Sequence, residues 1–267
     1  MAKIPEKRVV CSVARHPNTP IDVLEELFHL NPGKKSEVHW SLTSNPSIPS
    51  KILKLLEQSH RNSSFSRNMG LNIAEHPNTS PDIQEQLAQN APFWICSSLA
   101  VRFDIPQHLL LKIISKVVNS FFSKSSVLEK EKLLRQCFQD LQQAKKSSTS
   151  ITLLEKFAKH RWSGMRMAVA KNPSTPSSVL NILAVDKHNF ISKWVAKHPN
   201  ASEDTLNLLM MQPRIDCRNI AVKHPNFPRS IRQKFYNHIP VSMENHKNYK
   251  VYQEIISKTP NSFYDAY

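Results

Sequence analysis

Glycine is nearly missing from this chain, with three in 267 residues against 18 prolines. Glycine caps cannot be the usual way its helices end, and a glycine-rich phosphate loop is excluded. Cysteine is also sparse. Cys11, Cys96, Cys137 and Cys217 stand singly, with no C-x-x-C pair to begin a zinc or iron–sulfur site. Unpaired spacing suits a reducing cytoplasm better than a disulfide framework. No apolar run approaches the length that crosses a bilayer, and Met1–Arg8 is short and polar, without the apolar centre of a signal peptide. The expectation is a cytoplasmic protein with no membrane association. H-E-x-x-H and the nucleophile elbow are absent too, so the sequence argues against an enzyme, a metal and a cofactor.

What the chain does have is a repeated phrase, clearest in Val195–Leu209, VAKHPNASEDTLNLL. Val195 and Ala196 close an apolar helix and Lys197 is its last solvated position. His198 precedes Pro199, which disfavours helical backbone at the residue before it. Asn200 tolerates a tight turn, and a second helix follows with Leu206 and Leu209 on one face. In the first copy Thr19 is expected to cap the next helix, with Pro20 at its first turn.

Copies align on His16, Asn45, His76, Arg102, Asn172, His198 and His224. Three residues earlier stand Val13, Leu42, Ile73, Leu99, Val169, Val195 and Ala221. Ala14, Thr43, Ala74, Ala100, Ala170, Ala196 and Val222 come next, mostly small. Proline follows the His/Asn column except at Phe103. Both offsets from 172 to 198 to 224 are 26, and stepping back by the same amount lands on Lys146. There the proline is missing, but Thr149, Leu153, Leu154 and Phe157 fit as a degenerate copy. The organisation expected is an N-terminal tail at 1–8, repeats at 9–115, an insertion at 116–133, basic repeats at 134–239, and a capping helix with tail at 240–267. A terminal repeat needs a polar outer face, and Met243–Ser257 reads as that cap. Asn31–Glu37 and His60–Arg67 read as loops.

A period of this length marks a stack in which no unit buries its apolar face alone. The expected fold is an all-α, right-handed solenoid of about eight two-helix repeats, α/3₁₀ or α/α, forming a HEAT-like superhelix. The residues Arg15-His16-Pro17-Asn18-Thr19-Pro20, Ala74-Glu75-His76-Pro77-Asn78-Thr79 and Val195-Ala196-Lys197-His198-Pro199-Asn200 resemble the leucine-rich repeat variant family over roughly residues 9–235. The resemblance implies alternating α and 3₁₀ helices in a right-handed superhelix. The iron–sulfur cluster of some members does not carry over, because the paired cysteines are not here. Cys96 and Cys217 read as small buried thiols.

The recurrent histidines invite a metal reading. Stacked helices lie roughly 8–10 Å apart, whereas zinc holds each imidazole nitrogen at about 2 Å. Equivalent histidines therefore cannot share an ion, and a ladder bonding helix-end carbonyls is expected instead. Glu203-Asp204 and Glu25-Glu26 resemble catalytic carboxylate pairs, but both fall early in helices where acids complement the dipole.

Charge is what the architecture does not need. The net value is +15, and residues 116–240 hold 21 Lys/Arg against 8 Asp/Glu. Lys171, Lys197 and Lys223 share the column just before the turn residue, and Arg166 and Arg218 share another. Repeat stacking turns such columns into a basic stripe with a step of about 10 Å, able to follow a phosphate backbone. Lys193, Arg161 and Trp162 are expected to join it, Trp162 as a base-stacking group, while Trp194 is expected to be mostly core. The leading expectation is a non-enzymatic scaffold that binds DNA or RNA. A scaffold for an acidic protein partner is the alternative. A third possibility resembles helical-repeat alkylpurine glycosylases, with Asp186 or Asp216 as the acid.

Overall fold

The computed structural model describes residues 7–31, 36–60, 66–212 and 215–228, with the side chains of 66–68 and 215–216 excepted. All regular structure among them is α-helical. The helices are α1 (Lys7–Arg15), α2 (Ile21–Leu30), α3 (Glu37–Leu42), α4 (Ser50–His60), α5 (Ser66–Glu75), α6 (Pro81–Asn90), α7 (Phe93–Ala100) and α8 (Gln107–Phe121). They continue with α9 (Val127–Lys145), α10 (Ile151–Ala158), α11 (Ser163–Lys171), α12 (Ser177–Ala184), α13 (Asn189–Lys197), α14 (Glu203–Met210) and α15 (Ile215–Lys223). The α/3₁₀ alternation implied by the family resemblance is not found among the described residues, where both members of each pair are α-helices.

The chain forms two compact units. One comprises Met1–Lys145 with Arg161–Ala168, the other Lys146–His160 with Val169–Tyr267. Within the first, α1 packs on α3, α5 on α7 and α6 on α8, while α8 and α9 form a hairpin. Within the second, α10, α12 and α14 pack in succession, as do α13 and α15. Helices thus contact their chain neighbours and the next helix but one, a repeat-like arrangement.

The aligned columns explain this packing. Ala14, Thr43, Ala74, Ala100, Ala170, Ala196 and Val222 are all buried, and so are Leu42, Ile73, Leu99, Val169, Val195 and Ala221. Val13, in the first copy, is 39% exposed. Small residues at one column let helices approach, and the larger neighbours fill the space between. On the downstream helices Leu53, Leu56, Leu180, Leu183, Leu206 and Leu209 are fully buried, each worth about 1.5–3 kcal/mol in transfer free energy. Leu154 and Phe157 are buried likewise, in the columns expected of the degenerate copy. Gly164 serves a close approach: a Cβ there would lie 2.4 Å from the Trp162 ring.

The turn residues set the register. In the first unit, Asn45 Nδ2 donates to the carbonyls of His16 at 2.8 Å and Ala14 at 3.0 Å. His76 Nε2 meets the Asn45 carbonyl at 2.8 Å, and Arg102 Nη1 donates to the carbonyls of His76 at 2.7 Å and Ala74 at 3.0 Å. Lys145 Nζ then donates to the Arg102 carbonyl at 2.6 Å. In the second unit Asn172 Nδ2 donates to the Lys146 carbonyl at 2.7 Å, His198 Nε2 to that of Asn172 at 2.8 Å, and His224 Nε2 to that of His198 at 3.0 Å. The expected ladder of helix-end carbonyls is therefore present. A second rung comes from the asparagine two residues on: Asn78, Asn200 and Asn226 Nδ2 donate to the carbonyls of Ile48, Thr175 and Ala201.

Three sequence expectations need revision or fall outside view. Thr19 does not cap α2; its hydroxyl donates back to the Val13 carbonyl at 2.6 Å. Thr79 and Thr175 do the same to Ile73 and Val169, so this column closes the preceding helix, where carbonyls lack partners. Residues 116–133 are largely helical, lengthening α8 and α9 to 15 and 19 residues. The capping helix at Met243–Ser257 lies outside the described residues.

Candidate nucleic-acid interface

The basic residues divide between the units, and burial sorts them further. In the second unit, Lys171, Lys197 and Lys223 end α11, α13 and α15. A cation in the last turn complements the helix dipole, which gives each a local structural role as well. Lys197 and Lys223 are exposed and Lys171 is half-buried. The ladder from His224 to His198 to Asn172 fixes the three helix ends in register.

Trp194 joins two of these lysines. Lys171 Nζ lies 4.1 Å from the centroid of its ring and Lys197 Nζ lies 5.3 Å away. Both distances are within the range of cation–π attraction. Lys197 shares a face of α13 with Trp194, three residues away, while Lys171 reaches it from the preceding repeat. Two ammonium groups 26 positions apart in sequence are thus held at one indole. Trp194 is half-buried, with part of its ring reached by the two ammonium groups. Lys193 beside it is half-buried.

Arg218 is buried at 6% exposure and Arg166 at 7%, so neither extends the surface stripe. The physical reason is helical spacing. A residue six before the turn lies three and four positions from the two buried columns, so it shares their inward face. Arg166, in the first unit, donates from Nη1 to the Arg161 carbonyl at 3.1 Å.

Trp162 is also corrected. It is fully buried in the first unit, and its Nε1 donates to Ser97 Oγ at 2.9 Å. An indole so enclosed offers no face to a base. Arg161 is exposed, but its guanidinium stacks on Phe121 with its centre 4.8 Å from the ring centroid. The candidate interface therefore contracts to Lys171, Trp194, Lys197 and Lys223, with Lys193 alongside, all in the second unit.

His76, His198 and His224 each have both ring nitrogens engaged in the ladder. His198 Nδ1 accepts the Asn200 N–H at 3.1 Å while its Nε2 donates to the Asn172 carbonyl. This fixes the neutral Nε2–H tautomer, because a proton on Nδ1 would face an N–H donor. Burial lowers the pKa of His198, opposed by the bond to the Asn172 carbonyl and reinforced by nearby His224. His76 follows the same pattern, with Arg102 as the neighbouring charge. Among the described residues no three His, Cys, Asp or Glu side chains are grouped to hold a metal.

Asp186 accepts the His188 N–H at 2.8 Å in a local turn, and the side chain of Asp216 lies outside those described. Cys96 and Cys217 are buried, as small thiols in apolar surroundings should be. A pair the sequence reading missed lies in the first unit, where buried His39 and His60 meet at 2.8 Å between Nδ1 and Nε2. His39 Nε2 contacts the Phe28 carbonyl at 3.0 Å, and burial lowers its pKa. Neither residue occupies the turn column, so the repeat pattern carried no signal for them.

No helix among the described residues is long and apolar enough to cross a membrane. No protein family, curated protein or solved structure was found to match this chain.

Proposed function

We propose that this protein is a non-enzymatic helical-repeat scaffold whose second unit binds nucleic acid through the phosphate backbone. In this reading its repeats stack as a short right-handed solenoid akin to those of the leucine-rich repeat variant proteins. The observation that carries the reading is the gathering of Lys171 and Lys197 at Trp194, with exposed Lys223 ending the next upstream helix of a repeat. Cations at the ends of successive helices suit a polyanion, and backbone contacts need no base-specific groups. Residues 116–240 supply a long-range field of the right sign through their 21 cationic against 8 acidic residues.

The test is binding of labelled DNA and RNA, single-stranded and duplex, at two or more salt concentrations. Wild-type affinity should fall steeply as salt rises. The triple change Lys171→Glu, Lys197→Glu and Lys223→Glu should abolish retention while far-UV dichroism stays unchanged. Undiminished binding by a folded triple variant removes these lysines from the interface. Retention of an acidic protein, with no oligonucleotide bound at any salt, replaces this reading with that of a protein scaffold.

A further inference from the structure

We infer that Trp194 is a base-stacking platform, and that the interface accordingly prefers single-stranded nucleic acid to duplex. The inference rests on the nucleic-acid reading above and adds to it the form of the ligand. Its starting point is the column four residues before the turn. That column holds Ser12, Ser41, Asn72, Ser98 and Ala168 in other repeats, and Ile220 in the last. Packing there is satisfied by side chains far smaller than an indole, so the fold does not require tryptophan. The ring is half-buried at the flank of α13, so part of it remains at the surface.

Its surroundings suit a nucleotide. The position lies between the buried residues Val195 and Ala196 and the more exposed Lys193 and Lys197, so the indole sits at the margin of the core. Lys171 and Lys197 approach the ring from two successive repeats. An aromatic surface flanked by cations is the common design of sequence-tolerant single-strand sites, where a base stacks on the ring and neighbouring phosphates meet the charges. The lysines exchange their contact with the ring for phosphate oxygens when the base arrives. In a duplex the bases are already stacked and paired, so the indole has no base face to meet and only the phosphate contacts remain.

The experiment is a titration of the full chain with oligodeoxythymidylate and with a duplex of matched length, followed by tryptophan fluorescence and by anisotropy of a labelled strand. Subtracting the signal of the Trp194→Phe variant isolates Trp194 from the other tryptophans. The single strand should quench Trp194 and bind more tightly than the duplex. Trp194→Ala should weaken single-strand binding roughly ten- to a hundredfold with little effect on the duplex, while Trp194→Phe retains most of the affinity. Alanine already occupies the equivalent position at 168, so the variant is expected to fold, with helicity as the check. Equal, salt-sensitive binding of both forms with no Trp194 response would overturn this inference and leave the phosphate-binding reading standing. No binding of either form overturns both.

Discussion

At the residue scale, the alternation of histidine and asparagine in the turn column has a simple chemical basis. Both place an acceptor near the chain and a donor farther out. His198 uses Nδ1 and Nε2, and Asn172 uses Oδ1, accepting the Ser174 N–H at 3.0 Å, and Nδ2. His198→Asn should therefore cost no more than about 1 kcal/mol, the scale of one ordinary hydrogen bond. His198→Ala leaves the Asn172 carbonyl and Asn200 N–H without it and should cost about 1–3 kcal/mol. Urea denaturation of both variants measures the difference, and equal destabilisation would refute the equivalence. The same ladder predicts acid sensitivity. Burial depresses the pKa of His76 and His198 below their ordinary 6.5, so the unfolded chain binds protons first as pH falls. Their stabilising contribution is complete above about pH 6.5 and is lost as pH drops toward the depressed folded values. The urea midpoint should fall across that window, and by less in a His76→Asn, His198→Asn double variant.

The tryptophans show where residue-level reading from sequence stops. Trp162 follows Arg161 and looked exposed, yet Ser97, 65 positions earlier, receives its N–H. Trp194 shares a column that is otherwise small or apolar and is half-buried, but nothing in the sequence signals that Lys171 reaches its ring from the preceding repeat. Partners so distant in sequence leave no trace in local composition. Charge alone sets Arg166 and Arg218 in the basic stripe; their spacing of three to Val169 and Ala221, which places them on the inner face, is the signal for their burial.

At the scale of elements, the helices and their buried faces were readable because each copy repeats the same two adjacent apolar positions. Individual connections were less so. Residues 116–133 read as an insertion whose structure the repeat pattern leaves open; they extend α8 and α9 into a long hairpin, because their apolar residues follow the helical period without a proline to stop them. The start of α11 offers a test of packing against propensity. Gly164→Ala should gain about 1 kcal/mol from helix propensity alone. The new methyl would instead meet the rigid Trp162 ring at 2.4 Å, and overpacking of this kind costs typically 1–3 kcal/mol. A lower thermal midpoint is expected. A higher one would mean that the ring yields readily.

For the whole molecule, charge asymmetry was plain in the sequence, while the division into two units was not. The boundary at Lys145 and Lys146 falls inside the degenerate copy rather than at the insertion. In the first unit, Lys51 pairs with Glu25 at 3.2 Å and Lys54 with Asp82 at 2.6 Å, the latter holding the Asp82 carboxyl at about 2. Lysines so matched contribute little net field. Lys51→Glu with Lys54→Glu should therefore leave nucleic-acid affinity close to wild type at moderate salt, in contrast to the triple variant of the second unit. A comparable loss from both sets would spread the interface over the entire chain.

The ladder also has a direction. In every link described, the side chain belongs to the later repeat and the carbonyl to the earlier one. During synthesis each new turn therefore meets an acceptor that has already been made, while its own carbonyl waits for the donor of the repeat that follows. Within each unit the fold can grow at the pace of translation, each repeat closing the edge left open by the one before it.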